Sequence, residues 1–310
     1  MKITNVAAAV IERPDGSFLL GQRAPGTFYA GFWEFPGGKV ETGETALEAL
    51  IRELREELDI TVLRADPWLL RHHAYEHAHV RLSFFRVREW QGEVRDIVHS
   101  ALAWQMPNVL SVSPMLPANA PVLSALALPD FYAITYAAEI GVERQLLQLE
   151  RALQSGLRLV QLREPGLSPA ARDAFVRAAV QLCHQFGAKV LVHADAQLAR
   201  DAGADGVHLR ASQITQLQQR PDFALVAASC HDQGELLAAA ALGADFAVLG
   251  PVKTTLTHPE APCLDWTGFA AAVAVPPLPT FALGGLSRAD IDRAHQFGAH
   301  GVAAIRAAWE

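Results

Sequence analysis

The chain has 310 residues, 51% of them hydrophobic, and a formal net charge of −7. That length exceeds the usual single-domain size, so two domains are expected. The acidic balance argues against a partner made of nucleic-acid polymer, because such affinity rests on clustered Lys and Arg, while a small anion held through a metal stays open. Cys183, Cys230 and Cys263 show no C-x-x-C spacing, which fits reduced thiols in the cytoplasm better than a disulfide frame or a zinc site. The apolar run at the N terminus is cut by "PDG" before it can complete a signal peptide or a membrane span.

In chain order, "NVAAAVIE" and "SFLLGQRA" read as two strands of a hairpin around "RPDG". A glutamate-rich stretch, "GGKVETGETALEALIRELREELDI" (37–60), follows. Thr45 and Glu48 have capping-box spacing, so a helix is expected to start there, with Leu47, Leu50, Ile51, Leu54 and Leu58 as its buried stripe. Glu53, Glu56 and Glu57 then share a second face, where like charges repel unless a cation sits between them. A solvated amphipathic helix is the plain alternative. Gly37-Gly38 upstream, which lets backbone approach an ion, and Arg52 within the acidic cluster favour the metal, and hard oxygen donors suit Mg²⁺ or Mn²⁺.

The spacing Gly38, five residues, Glu44, seven residues, then "RELREE" (52–57) and Ile60 resembles the Nudix box. The resemblance implies hydrolysis of a nucleoside diphosphate linked to another group. It implies metal ligands at Glu53, Glu56, Glu57 and the Gly37 carbonyl, with Glu44 and Arg52 as supports. Asp59 stands where the family has a glycine and is expected to affect only how the helix ends.

Beyond the box the similarity extends to the MutT-type branch, which removes oxidised guanine nucleotides by cleaving 8-oxo-dGTP to 8-oxo-dGMP and pyrophosphate. Arg23 in "GQRAPG", Glu34, Phe35, Pro36 and Gly37 in "WEFPGGK", and Asn119 in "LPANAPV" stand where that branch places its base and phosphate contacts. Read without the family, Asn119 is a turn residue between prolines and Arg23 a surface arginine. Farther on, "VRLSFFRVREW" reads as a strand. Val98 in "VHSALAW" occupies a position where the family often has a glutamate, so the general base is a glutamate of the box, Glu93, Asp96 or His99.

The stretch 109–135 has four prolines and almost no charge, and beyond it the texture changes, so a boundary is placed near residue 128. The first domain, residues 1–128, is expected to be an α+β fold, the α/β/α sandwich that the Nudix resemblance implies. In residues 129–310, eight apolar runs ("FYAIT", "LRLVQLRE", "KVLVHA", "GVHLRA", "LVAASCHD", "FAVLGPV", "PTFALGGL", "GVAAIR") alternate with helical patterns. Strands buried on both faces in that number match a closed (β/α)8 TIM barrel, with an open doubly wound sheet as the alternative.

"YAIT", "VQLRE", "GADGVHLR", "SCH", "GPVKTTLTH" and "GGLS" in this half resemble the thiamine phosphate synthase family and its thiazole tautomerase relatives. The resemblance implies a site for a phosphorylated, thiamine-related ligand formed by Gln161, Arg163, Ser229, His231, Thr255, Thr257, Gly284 and Gly285. His231 stands at the tautomerases' acid–base histidine. The synthase's metal-diphosphate carboxylates are missing: Ala194 stands at the aspartate position, and "RASQ" follows "GVHL". A binding or scaffolding barrel is therefore favoured over a synthase. A second expectation, drawn from the fusion, is hydrolysis of a thiamine-related diphosphate by the first domain beside a tautomerase-like barrel, and a third, a sensor with little turnover, draws on Val98 and Ala194.

Overall fold

The structure is a computed structural model that describes residues 3–76, 78–254, 262–275 and 277–310. The chain divides into two compact units, residues 1–127 and 128–310. Among the described residues no helix is long and apolar enough to cross a membrane.

The first unit comprises β1 (Ile3–Ile11), β2 (Phe18–Gln22), β3 (Trp33–Glu34), β4 (Gly37–Lys39), α1 (Ala46–Leu58), β5 (Thr61–Ala74), β6 (His79–Gln91), β7 (Ala101–Gln105) and α2 (Ala120–Leu126). β1 organises it. Side chains alternate along a strand, so Ala7, Ala9 and Ile11 enter one core with Leu50, Leu54 and Leu58 of α1, while Ala8 and Val10 enter another with Val122 and Ala125 of α2. A strand covered on both faces reads as an unbroken apolar run, which is why "VAAAVI" carries no polar alternation. The result is a sandwich of helix, sheet and helix.

The strands form one sheet in the order β4-β1-β6-β5 and a second in the order β3-β2-β7. This corrects the expected hairpin. The turn exists, with the Arg13 amide on the Ser17 carbonyl at 2.9 Å, but a single Glu12–Phe18 bridge joins the two strands before they enter different sheets. The stripe of α1 is also narrower than expected. Leu47 and Ile51 are 39% and 38% exposed, because α1 meets the sheet along the Leu50–Leu54–Leu58 row with Ala49 beside it. Each of those buried leucines contributes about 1.5–3 kcal/mol of apolar burial. The proline-rich stretch is no bare tether, since Val122, Ala125 and Leu126 of α2 belong to the first unit's core.

The second unit contains β8 (Phe131–Ile134), β9 (Leu159–Leu162), β10 (Lys189–His193), β11 (Gly206–Leu209), β12 (Leu225–Cys230), β13 (Phe246–Leu249), β14 (Thr280–Leu283) and β15 (Gly301–Ala304). Each pairs in parallel with the next, and β15 returns to β8, so the eight expected strands close and the open sheet is excluded. Tyr132, Leu159, Leu191, Phe246 and Phe281 fill the interior. The outward faces form a larger core with the surrounding helices. Closure brings the carboxyl ends of all strands to one rim, where such barrels place ligands.

At the end of α1, Asp59 adopts φ 58 and ψ 33, and its amide reaches the Arg55 carbonyl at 3.2 Å. Asp tolerates this left-handed geometry, and a β-branched residue does not. Asp59→Ile is expected to cost about 1–2 kcal/mol in urea denaturation of the first unit, and Asp59→Gly to cost nothing or to stabilise.

Candidate active site

The capping box forms as the sequence requires: the Thr45 hydroxyl accepts from the Glu48 amide at 3.2 Å, and the Glu48 carboxylate accepts from the Thr45 amide at 2.7 Å. This sets the phase of α1 and so decides which way its acids point. Arg52 is the hub of the acidic face. Its Nε and Nη2 donate to Glu44 at 2.8 and 3.0 Å, its Nη1 donates to Glu53 at 2.9 Å and to Glu56 at 3.5 Å, and Nη2 also donates to the Lys39 carbonyl at 3.2 Å. Hydrogen bonding from Arg52 holds the Glu44 carboxyl well below the usual carboxylate range.

Glu57 lies deeper. Its Oε2 accepts from the Gly37 amide at 3.1 Å, yet burial, helped by repulsion from Glu53 and Glu34, pushes its pKa up to about 8. His99 Nε2 lies 3.9 Å from that same oxygen. Burial lowers the His99 pKa, so the imidazole is neutral near pH 7. Its amide is fixed by Asp96 at 2.9 Å. Glycines make the room. A Cβ on Gly38 would fall 2.2 Å from the Glu53 carboxyl carbon, and one on Gly21 would fall 2.3 Å from the His99 ring. Gly21 escaped the sequence reading, although a glycine inside a strand pattern is itself a sign of close approach.

On the other flank, Arg23 Nη1 grips Glu34 at 2.6 and 2.7 Å, and Arg23 Nε donates to the Phe28 carbonyl at 2.6 Å. Arg23 is thus a paired residue of the site and no loose surface arginine. Asn119 is 4% exposed in a short 3-10 turn (Pro117–Asn119), with its Nδ2 on the Trp33 carbonyl at 3.1 Å. Tyr75 feels the charges of both Glu34 and Arg23, and the Tyr29 ring stands 5.4 Å from Tyr75 and 5.2 Å from Phe32. This aromatic group was missed. The signal was present in "GTFYAGFWEF", an aromatic run between glycines.

Phe35 and Pro36 are corrected. Phe35 is 4% exposed and packs 5.8 Å from Phe18 and 5.7 Å from Phe84, and the buried Pro36 gives its carbonyl to the Ala9 amide at 2.8 Å. Both anchor the strand that carries Glu34 and Gly37 and leave no side chain for a ligand.

Glu53, Glu56 and Glu57 share a face of α1, and their hard oxygens match a divalent cation. Gly38 leaves the space in which the Glu53 carboxylate lies. Among the described residues no three acidic, His or Cys side chains are drawn together as a metal cluster. Arg52 and the Gly37 amide hold the individual carboxylates instead. The donor set fits a cation, with Glu53, Glu56 and Glu57 as the residues that would hold it.

In the barrel, Gln161 and Ser229 face the interior. Gln161 is 2% exposed and bonds the Tyr132 hydroxyl; that hydroxyl lies 3.1 Å from His208 Nδ1, and His208 Nε2 lies 2.9 Å from Ser229 Oγ. Tyr132 and His208 were not foreseen, since each reads as one polar residue inside an apolar strand. His231 does not join this chain: it is exposed and bonds Glu235 at 2.9 Å through Nδ1. The Gly284–Gly285 pair has a packing role, since a Cβ on Gly284 would meet Pro251 at 2.6 Å while its carbonyl takes the Lys253 amide at 3.1 Å. Thr255 and Thr257 lie outside the described residues. At the position of the synthase family's metal aspartate Ala194 offers no oxygen side chain, and the neighbouring Asp195 is engaged with Arg172 and the Leu198 amide.

Two outcomes are expected. Gly38→Ala displaces the Glu53 carboxylate and is expected to lower kcat at least about 100-fold with an unchanged circular dichroism spectrum. In the barrel, burial holds His208 far below its ordinary pKa. The unfolded chain takes up a proton there near pH 6.5 and the folded chain does not, so stability falls as the pH drops from 7 to 5. Thermal melts of His208→Gln should lose stability less steeply over that window.

Comparison with known proteins places both units. Residues 131–308 match the family model described as thiamine monophosphate synthase, and residues 7–125 match the NUDIX domain model. The thiamine-phosphate synthase of Lysinibacillus sphaericus is 35% identical over 58% of this chain and 88% of its own length. The CTP pyrophosphohydrolase of Escherichia coli is 39% identical over 40% of this chain and 92% of its own, and the 8-oxo-dGTP diphosphatase of Haemophilus influenzae 37% identical over the same shares. Proteins with Nudix domains generally use divalent metal ions. The chain belongs to the Nudix hydrolases, which act on phosphorus anhydrides, through its first unit and to the thiamine monophosphate synthase family through its barrel.

Proposed function

We propose that the first unit hydrolyses 8-oxo-dGTP to 8-oxo-dGMP and pyrophosphate in the presence of Mg²⁺, with Mn²⁺ as the alternative ion. The observation that carries this reading is the Arg23–Glu34 pair, whose charges act on Glu57 of the acidic face and on Tyr75 of the aromatic group alike. It links a phosphate side to a base side. The likeness to the Haemophilus influenzae enzyme supports the choice of base.

When bound, a divalent cation supplies neutralisation of phosphate oxygens and lowers the pKa of an attacking water. Glu53, Glu56 and Glu57 would hold it, with Arg52 orienting the first two. The 3.9 Å between His99 Nε2 and Glu57 supports His99 as the group that takes up the proton, at the point in the chain where Val98 offers no carboxylate. Asn119 presents a buried amide, a group that discriminates bases by pairing with a specific edge.

A second reading is CTP as substrate, favoured by the likeness to the Escherichia coli CTP pyrophosphohydrolase. A third, a thiamine-related diphosphate, is favoured by the barrel to which the unit is joined. The barrel itself we read as a binding module for a phosphorylated ligand, since the residues of a metal-diphosphate synthase are lacking. The free thiols Cys183, Cys230 and Cys263 accord with a cytoplasmic setting.

The test supplies Mg²⁺ and 8-oxo-dGTP, dGTP, CTP or thiamine diphosphate to the full chain and separates pyrophosphate from orthophosphate. Pyrophosphate release from 8-oxo-dGTP is expected at a kcat/KM at least about tenfold above dGTP, one good hydrogen bond's worth of discrimination. Glu57→Gln should abolish it. Preferred turnover of CTP would move the assignment to the second reading, and turnover of thiamine diphosphate alone would remove Asn119 as a base reader. His99→Gln is expected to lower kcat about 100-fold while leaving KM in place; an unchanged kcat would return the base to a glutamate of α1.

A further inference from the structure

Residues 71–79 read "RHHAYEHAH", and four of the chain's twelve histidines fall in this short run. A histidine-rich tract is by composition a candidate for binding transition metals, and the fold decides which of its rings can act together. β5 ends in this tract and β6 begins in it. The Tyr75 amide donates to the Ala78 carbonyl at 2.8 Å, so Tyr75 and Ala78 form the hydrogen-bonded pair that closes the hairpin. Pairs alternate in kind along an antiparallel ladder, which makes Ala74–His79 and His72–Arg81 non-hydrogen-bonded pairs, the kind whose side chains stand closest. His72 and His79 therefore lie on one face of the sheet as diagonal neighbours, with Cβ atoms roughly 7 Å apart. His77 lies outside the described residues.

A cavity of about 210 Å³ opens beside the pair, lined by Ile3, His72, His73, Ala74, His79 and Val80. Ile3 is the partner of His79 on β1 and walls one side with apolar carbon. His73 and Val80 lie between the others in the ladder, and their side chains leave by the opposite face, where the His73 ring centroid stands 4.4 Å from that of Tyr75. No carboxylate, lysine or arginine lines the cavity. Neither His72 nor His79 has a hydrogen bond, ion pair or ring contact among the described residues, and both are exposed, so their ring nitrogens are open to a ligand. Arg81 stands opposite His72; it too is exposed, and water and salt screen its charge from an ion held toward the turn.

We propose that His72 and His79 together bind one divalent transition-metal ion of the zinc, nickel or copper class on the exposed face of the β5–β6 ladder, with water in its remaining positions. Imidazole nitrogen suits these ions and suits Mg²⁺ poorly, because Mg²⁺ prefers oxygen. Two rings held in a fixed register bind as a chelate, since the sheet has restricted their relative position before the ion arrives. Only two side chains converge, in keeping with the absence of a three-ligand cluster among the described residues, so the site is open and unlike a closed four-ligand structural zinc site. The carboxylates of α1 suit a hard ion, so excess Mg²⁺ fills them and leaves the imidazoles to the softer metal.

The test is equilibrium dialysis of radiolabelled zinc against the full chain, prepared without an affinity tag, in a buffer with excess Mg²⁺. One zinc ion per chain is expected, bound at least about tenfold more weakly by His72→Ala and by His79→Ala and unchanged in His73→Ala, whose side chain lies on the opposite face. With Cu²⁺ in place of zinc, electron paramagnetic resonance should show splitting from two ring nitrogens in the unaltered chain and from one in each of the first two variants. Circular dichroism without added metal reports the fold of each variant. Zinc binding that either His72→Ala or His79→Ala retains in full, or that His73→Ala loses equally, overturns the location. Displacement of the zinc by Mg²⁺ overturns the imidazole chemistry, and a chain that takes up no zinc overturns the proposal outright.

Discussion

Arg52 is the residue on which the arrangement of the first unit's acidic face depends. Carboxylates crowded on one turn of helix repel, and left to water they would splay apart or unwind the turn. One guanidinium reaches Glu44, Glu53, Glu56 and the Lys39 carbonyl at once, so the loop before α1, the helix and the strand before the loop are tied at a single point. Arg52, Glu44 and Glu53 are half-buried and Glu56 is exposed, and the worth of the hub lies in direction more than in stability. It fixes Glu53 and Glu56 toward one side while the Gly37 amide fixes Glu57. Gly38 serves the same end by leaving the space in which the Glu53 carboxylate lies, while Gly37 lets β4 close on Ala7 and Ala8 of β1.

The two units are built around different polar groupings. The first gathers acids, which makes a site suited to a cation and through it to an anhydride whose bond is to be broken. At the barrel rim, burial together with charge from Arg163 and Arg210 holds the His193 imidazole neutral. The barrel interior adds a buried polar chain, Gln161 to Tyr132 to His208 to Ser229, in which each member finds a partner. Such a chain specifies a unique packing, because leaving any link unpaired in a dry interior is costly.

Much of this was legible in the residues. The apolar run of β1, the capping box at Thr45, and eight apolar runs separated by helices are local patterns, and each arises from backbone geometry that a short window contains. The box around Arg52 was legible for the same reason, since its spacing lies within one loop and one helix. The left-handed end at Asp59 followed from what Asp tolerates.

What the sequence could not supply depends on groups far apart in the chain. "RPDG" makes its turn, yet the strands it joins part into two sheets because β6 and β7, much later in the chain, compete for their edges. Leu47 and Ile51 look like core from periodicity and are exposed because only one row of α1 meets the sheet. Phe35 sits in a motif that reads as substrate contact, and its ring is claimed by Phe18 and Phe84. His231 stood in the right register for an acid–base role but is drawn outward by Glu235, one helical turn on. Local propensity and spacing were therefore determined by the sequence itself. Which face is covered, which charge finds its partner and which imidazole is buried were decided only in the tertiary structure, since burial and pairing are properties of neighbours in space.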